Sequence, residues 1–242
     1  MIKVLPGVAV AALVGGHWLP AACVVVPGAA GPFRIPVRAR TGTGVVLTFD
    51  DGPHVAGTPA VLEALASAGA HAVFFVSGEQ VVRHPALVRE VVAAGHELGL
   101  HGFRHETRRQ WTRALLADDV RRAADAVESA TGLSPTLYRP PHGVFSIVGL
   151  RTVRSLGLEP LLWSKWGRDW EAGATAASIT RRSTRRVAAR DVILLHDADH
   201  YGARDSWRRT VMALPRIVEA LHRAGLTTQR WTETELPQPA RS

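Results

Sequence analysis

From residue 45 to residue 230, short apolar runs alternate with segments of helical spacing, and most of the runs end on a polar or charged residue. Runs at 45–49, 72–76, 97–100, 136–138, 160–163, 192–195 and 227–230 have the length and boundary residues of buried strands. Helical spacing occupies 58–68, 85–94, 113–130, 146–156, 175–188 and 207–224. Seven strands alternating with helices imply an α/β fold: a parallel sheet with helices outside it, either open or closed as a barrel. No G-x-G-x-x-G follows the first run, so a dinucleotide fingerprint is absent.

The chain has 242 residues, enough for a substantial core. Its one cysteine, Cys23, excludes a disulfide framework or a cysteine-based zinc cluster built from this chain alone. Any metal must be held by histidine and carboxylates. The net charge of +8 is carried almost wholly by arginine. Basic pairs such as Arg121-Arg122 and Arg181-Arg182 recur at helical spacing without interleaved aromatics, the pattern of solvated helix faces and not of a nucleic-acid platform. No nucleic-acid partner is expected.

Residues 1–32 differ in kind. They are apolar and small, with Lys3 near the start and His17, Pro20 and Pro27 as interruptions. A spanning helix needs about 20 apolar residues, and a cleaved signal ending near Ala21-Ala22 or Ala29-Ala30 fits equally well. Either places the following domain outside the cytoplasm, secreted or associated with the membrane through this segment. Residues 33–44 carry arginines among prolines and glycines and are expected to form a linker, 45–234 a catalytic domain, and 235–242 a polar tail.

Polar residues concentrate where the strands end. Asp50-Asp51, His101, Arg139, Asp169 and His196 each follow an expected strand, at the edge where parallel α/β proteins build active sites. His101 and His105 stand four residues apart, within reach of one cation if the turn is helical. In a chain with 11 histidines that spacing alone is weak. With Asp51 it makes an Asp-His-His set that suits zinc and leaves a position open for water. Adjacent carboxylates repel and need a cation or an arginine to stay ionised. Asp51 as metal ligand and Asp50 as general base held by Arg139 satisfy both, whereas an Asx-capped turn is the simpler alternative.

Thr48-Phe49-Asp50-Asp51-Gly52-Pro53, His101-x-x-x-His105, Arg139-Pro140-Pro141-His142-Gly143, Arg168-Asp169-Trp170 and Leu194-Leu195-His196-Asp197 resemble the five ordered motifs of the polysaccharide deacetylases of carbohydrate esterase family 4, which share the chitooligosaccharide deacetylase homology domain. The resemblance implies a distorted (β/α)7-8 barrel with a parallel sheet core and a divalent metal, usually Zn2+, on Asp51, His101 and His105. It implies Asp50 as base, Arg139 as its orienting partner, His196 as the acid that protonates the leaving amine, and Asp169 as the carboxylate that tunes His196. Pro141, His142, Gly143, Trp170 and Leu194 would bound the substrate groove, with the His142 backbone N–H facing the oxyanion. The family often has an aromatic where His142 stands.

The implied activity is removal of N-acetyl groups from an N-acetylglucosamine-containing glycan (peptidoglycan, chitin-like or lipid-linked) by metal-activated water, with the chain acting as a monomer. The alternatives are a metal amidohydrolase or deformylase acting on a small or lipid-linked amide, and a non-catalytic glycan-binding surface protein on the same scaffold. Among the remaining residues, His71, His84 and His96 are expected as caps or surface groups, Tyr201 as solvated loop, and most tryptophans as packing residues.

Overall fold

The computed structural model describes residues 15–26 and 28–231. Seven strands form one parallel sheet in the order β5-β4-β3-β2-β1-β7-β6. They are β1 (Val46–Asp50), β2 (Ala72–Val76), β3 (Glu97–Leu100), β4 (Leu137–Tyr138), β5 (Glu159–Pro160), β6 (Lys165–Trp166) and β7 (Val192–His196). The helices are α1 (Gly57–Ser67), α2 (Gly78–Arg83), α3 (Pro85–Ala93), α4 (Arg113–Thr131), α5 (Ile147–Ser155), α6 (Ala176–Thr184) and α7 (Ser206–Arg223).

The strand order forces curvature. β5 and β6 lie at opposite edges of the sheet, yet only residues 161–164 join them. Laid flat, seven strands at about 4.8 Å spacing are about 29 Å across, while five Cα steps of 3.8 Å span at most about 19 Å. The sheet is therefore curled until its edges approach: a distorted (β/α) barrel, as the motifs implied. The expected strand at 160–163 is in fact this crossing, with a two-residue strand at each end of it. The expected strand at 227–230 is reduced to a bridge between Thr228 and Val45. β1 has β2 and β7 on its two sides, so the backbone of residues 227–229 pairs only with Val45, just before it: the Val45 N–H donates to Thr227 O and the Gln229 N–H to Val45 O.

Alternation along the strands separates two apolar clusters. Leu47, Phe49, Phe74 and Ile193 point outward into the layer shared with the helices. Val46, Val73, Phe75, Leu137, Leu161 and Val192 fill the barrel interior. Thr48 and Asp50 continue the inward series of β1, and Asp50 pairs in register with His196 of β7. Gly99 has a packing role: a Cβ there would meet the Phe75 ring at 2.5 Å. The inward Phe75 ring can be accommodated because β3 contributes no side chain at that position.

The expected linker at 33–44 is packed instead of free. Ile35 and Ala39 are buried. The Leu162 N–H donates to Pro36 O, and Arg38 bridges to Asp191. The expected signal or anchor falls partly on residues 1–14, outside the described residues, as does the tail at 235–242. Among the described residues no helix is long and apolar enough to cross a membrane. Leu19–Val24 forms a 3-10 turn, and His17 beside it stacks on Trp111 with ring centroids 5.1 Å apart.

Candidate metal centre and catalytic cavity

β1 would present Asp50 and Asp51 to opposite faces if it continued extended past Asp50. Asp51 instead has φ 80°, in the left-handed region that non-glycine residues seldom adopt. Both carboxylates consequently line one cavity of ≈ 160 Å³. His142 (φ 58°) and Arg168 (φ 53°) lie in the same unusual region within two other motifs. Such conformations cost on the order of 1–3 kcal/mol each and tend to gather at functional sites.

His101 follows β3, and its Nδ1 lies 2.8 Å from the carbonyl of Arg139, next to β4. An Nδ1–H donated to that carbonyl leaves the Nε2 lone pair aimed at Asp51 Oδ1, 3.3 Å away. His105 Nε2 stands 3.5 Å from the same oxygen. The three donor atoms lie within 4.8 Å of one another. Asp51 Oδ1 is buried without a hydrogen-bond partner. Burial pushes the His105 imidazole down to about 3 and keeps it neutral, as a ligand must be. An orphaned carboxylate oxygen facing two imidazole nitrogens fits a zinc-like divalent cation.

Asp50 is held differently. Arg139 donates through Nη1 to Asp50 Oδ1 (2.7 Å) and to Thr48 Oγ1 (2.8 Å). Its Nε and Nη2 reach the carbonyls of Leu161 and Leu162, each at 3.1 Å, on the crossing that closes the barrel. The guanidinium lies 4.0 Å above the Phe75 ring. It is fully buried, so Arg139 sits behind the cavity and fixes Asp50 without lining the site itself.

His196 ends β7 opposite these groups, its Nε2 3.9 Å from Asp51 Oδ2. Its Nδ1 is 2.9 Å from Asp169 Oδ1, and its backbone N–H donates to Asp169 Oδ2 at 2.7 Å. Thr210 of α7 also donates to Asp169 Oδ2. Burial works against the imidazolium, but the Asp169 carboxylate more than reverses this, and Asp51 and Asp50 add to it; the His196 pKa is pushed up to about 10. At neutral pH it carries a proton whose Nε2 end faces the cavity.

Of the residues expected in the groove, His142, Gly143, Trp170 and Leu194 line the cavity, whereas Pro141 is buried and does not line it. Trp163, Trp166 and Tyr201 line it too. Tyr201 is the exposed loop residue expected, but its ring stacks on His105 at 4.0 Å and its hydroxyl donates to Glu79, so one side of it belongs to the mouth. His54 lies to one side, against Asp199 and His200.

Sequence reasoning missed Asp119. This buried α4 carboxylate accepts the amides of Phe103 (2.8 Å) and Arg104 (3.3 Å), inside the turn between the two histidines. Gly102 has φ 82° there, and a Cβ on it would stand 2.9 Å from Asp119 Oδ2. The available signal was an acid among Leu116, Val120, Ala123 and Val127 on the apolar face of α4.

The barrel mouth thus joins a cation-shaped donor set, a carboxylate fixed by arginine and a protonated imidazole, the parts of a metal-dependent hydrolase. Residues 38–161 match the family model described as polysaccharide deacetylase. A peptidoglycan-N-acetylglucosamine deacetylase of Bacillus cereus is 34% identical over 184 residues, covering 75% of this chain and 83% of that protein. A chitooligosaccharide deacetylase of Sinorhizobium fredii is 36% identical over 195 residues, covering 77% and 90%. The solved structure of a family 4 carbohydrate esterase from Streptomyces lividans in complex with acetate is similar with a TM-score of 0.69 at 31% identity, covering 77% of this chain and 92% of that one. The chain belongs to the polysaccharide deacetylase family, hydrolases that act on carbon–nitrogen bonds.

Proposed function

We propose that the chain hydrolyses the N-acetyl amide of an N-acetylglucosamine unit in a glycan, outside the cytoplasm and as a monomer, with residues 45–234 as the catalytic domain and residues 33–44 packed against it. The observation that carries this is the meeting of Asp50, His196 and the Asp51-His101-His105 set around one cavity. At ≈ 160 Å³ it is smaller than the roughly 300–1,000 Å³ of pockets that enclose a whole ligand, and suits the acyl-amide end of a larger substrate.

A divalent cation on Asp51, His101 and His105 would supply Lewis acidity, polarising the acyl oxygen and bringing the pKa of water from about 15.7 toward 7. Asp50, held by Arg139, accepts the proton of the attacking water. The His142 backbone N–H is the donor toward the developing oxyanion; the next two amides of its turn are already engaged with Pro140 and Pro141 carbonyls. His196 delivers its Nε2 proton to the amide nitrogen as the C–N bond breaks, leaving acetate and a free amine. Asp169 keeps the other face of the imidazole occupied. Trp170, edge-on to His196 at 5.2 Å, and Leu194 wall the acetyl group.

The test is acetate release from N-acetylated glycans by the wild-type chain, with and without chelator. Dependence on a divalent metal is expected, and full activity in chelator would refute the reading.

A further inference from the structure

A second cavity of ≈ 570 Å³ lies against the first. Trp163 and Trp166 line both. Val24 of the second cavity comes within 3.3 Å of where a Cβ on Gly143, at the rim of the first, would stand. The far wall is built by residues from 23–26 and 28–38, most of which precede the region that matches the family model. The groove thus continues the catalytic mouth toward the N-terminal segment.

The lining indicates what the groove holds. Val24, Val26, Ile35 and Val37 form its aliphatic side, with Trp163 and Trp166 opposite. Arg38 and Ser164 also line it, but both are turned onto Asp191, at 2.9 and 2.7 Å. Apart from these two and Cys23 the lining is aliphatic, aromatic or glycine, which suits a hydrocarbon better than sugar hydroxyl groups that must give up water. Around the groove, Leu19, Val25 and Val26 are exposed, as is Trp111, on which His17 and Trp18 of the same segment pack.

We infer that this groove binds the hydrocarbon chain of an amphiphilic substrate, an N-acyl amino sugar joined to a long apolar tail, with the amide in the catalytic cavity and the tail between that far wall and the two tryptophans. The inference rests on the amide-hydrolase reading of the first cavity and names its substrate class. The apolar rim gives such a tail a path from a lipid surface without crossing water.

The experiment compares acetate release by the full chain from the methyl and decyl glycosides of di-N-acetylchitobiose, below the micelle concentration. Because each buried methylene favours binding, the decyl compound is expected to show a kcat/KM at least about tenfold higher. Val26→Asp places a charge at the exposed groove edge; it is expected to abolish that gain and leave the methyl glycoside rate unchanged, while Val26→Leu keeps the gain. Equal rates on the two glycosides, as when the chain's own N-terminal residues fill the groove, would overturn the inference. So would a gain that survives Val26→Asp. Acetate release from neither glycoside would instead refute the deacetylase reading beneath it.

Discussion

Strand β3 has a buried histidine at each end, and the two behave oppositely. His101, at the mouth, bonds the Arg139 carbonyl and faces two carboxylates within 4.0 Å. His96, at the floor, packs on Phe74 and His71 and has no hydrogen-bond partner at Nδ1. Burial and the charges of His71 and Arg230 push its imidazole down to about 4. Residue type and depth are alike, so neither makes a site. The mouth differs because the C-terminal ends of β1, β3, β4 and β7 converge there and because Asp51 turns out of extended geometry.

The severest test of that contrast removes a group from each end. Asp51→Ala is expected to lose bound metal and to lower acetate release by about a thousandfold or more, since the cation would be both Lewis acid and template. His96→Gln should keep activity within about twofold, because nothing at the floor contacts the cavity. Metal content and initial rates on the purified chains check both, and a similar loss in the two would dissolve the distinction. Within the mouth, Asp50→Asn should retain metal while turnover falls about 10²–10⁴-fold, the range for loss of a positioned base. Loss of metal equal to that of Asp51→Ala would merge the two aspartates into one role.

Much of the mouth was legible in the sequence because its groups sit directly at strand ends, and the strand ends are marked by a change from apolar to charged residues, as at Phe49-Asp50 and Leu100-His101. The groups behind them were hidden by distance along the chain. Thr210 on α7 reaches Asp169 across 41 positions, and Arg139 reaches the crossing at Leu161 and Leu162 across 22 and 23. The crossing reads as a strand because Leu161, Leu162 and Trp163 are as apolar as one, yet they connect one edge of the sheet to the other. His96 borders a helix and a strand, a position that suggests a cap or surface group; the ring is instead buried against Phe74. The packing of 33–44 was masked by prolines and arginines around the alternating apolar residues Ile35, Val37 and Ala39.

Asp119 provides a finer test of why the mouth holds together. With its carboxylate holding the turn between His101 and His105, Asp119→Asn, which keeps one acceptor oxygen, is expected to weaken metal affinity about 10–100-fold, the usual range for a residue that orients ligands. The test is chelator competition, set against thermal unfolding of the metal-free chain. A merely structural role predicts lower stability with metal affinity unchanged. Asp119→Glu, tested beside it, should recover part of the affinity if a charged acceptor is what the turn needs.

The smallest effect is expected at the floor, and it concerns stability rather than turnover. The unfolded chain binds a proton at His96 near the ordinary pKa of about 6.5, while the folded chain resists it until about 4. Between those values the unfolded state holds more protons, so stability rises with pH across the window and is lost as pH falls through it. By pH 5 most of this group's contribution is lost. Urea unfolding of the wild type and of His96→Gln at pH 7 and pH 5 isolates it, because other titrating groups are common to both chains. The variant's stability should fall less between the two pH values, whatever its absolute stability. Equal falls would mean that His96 already finds a proton-accepting partner in the folded chain, and that the floor and the mouth differ less than their geometry implies.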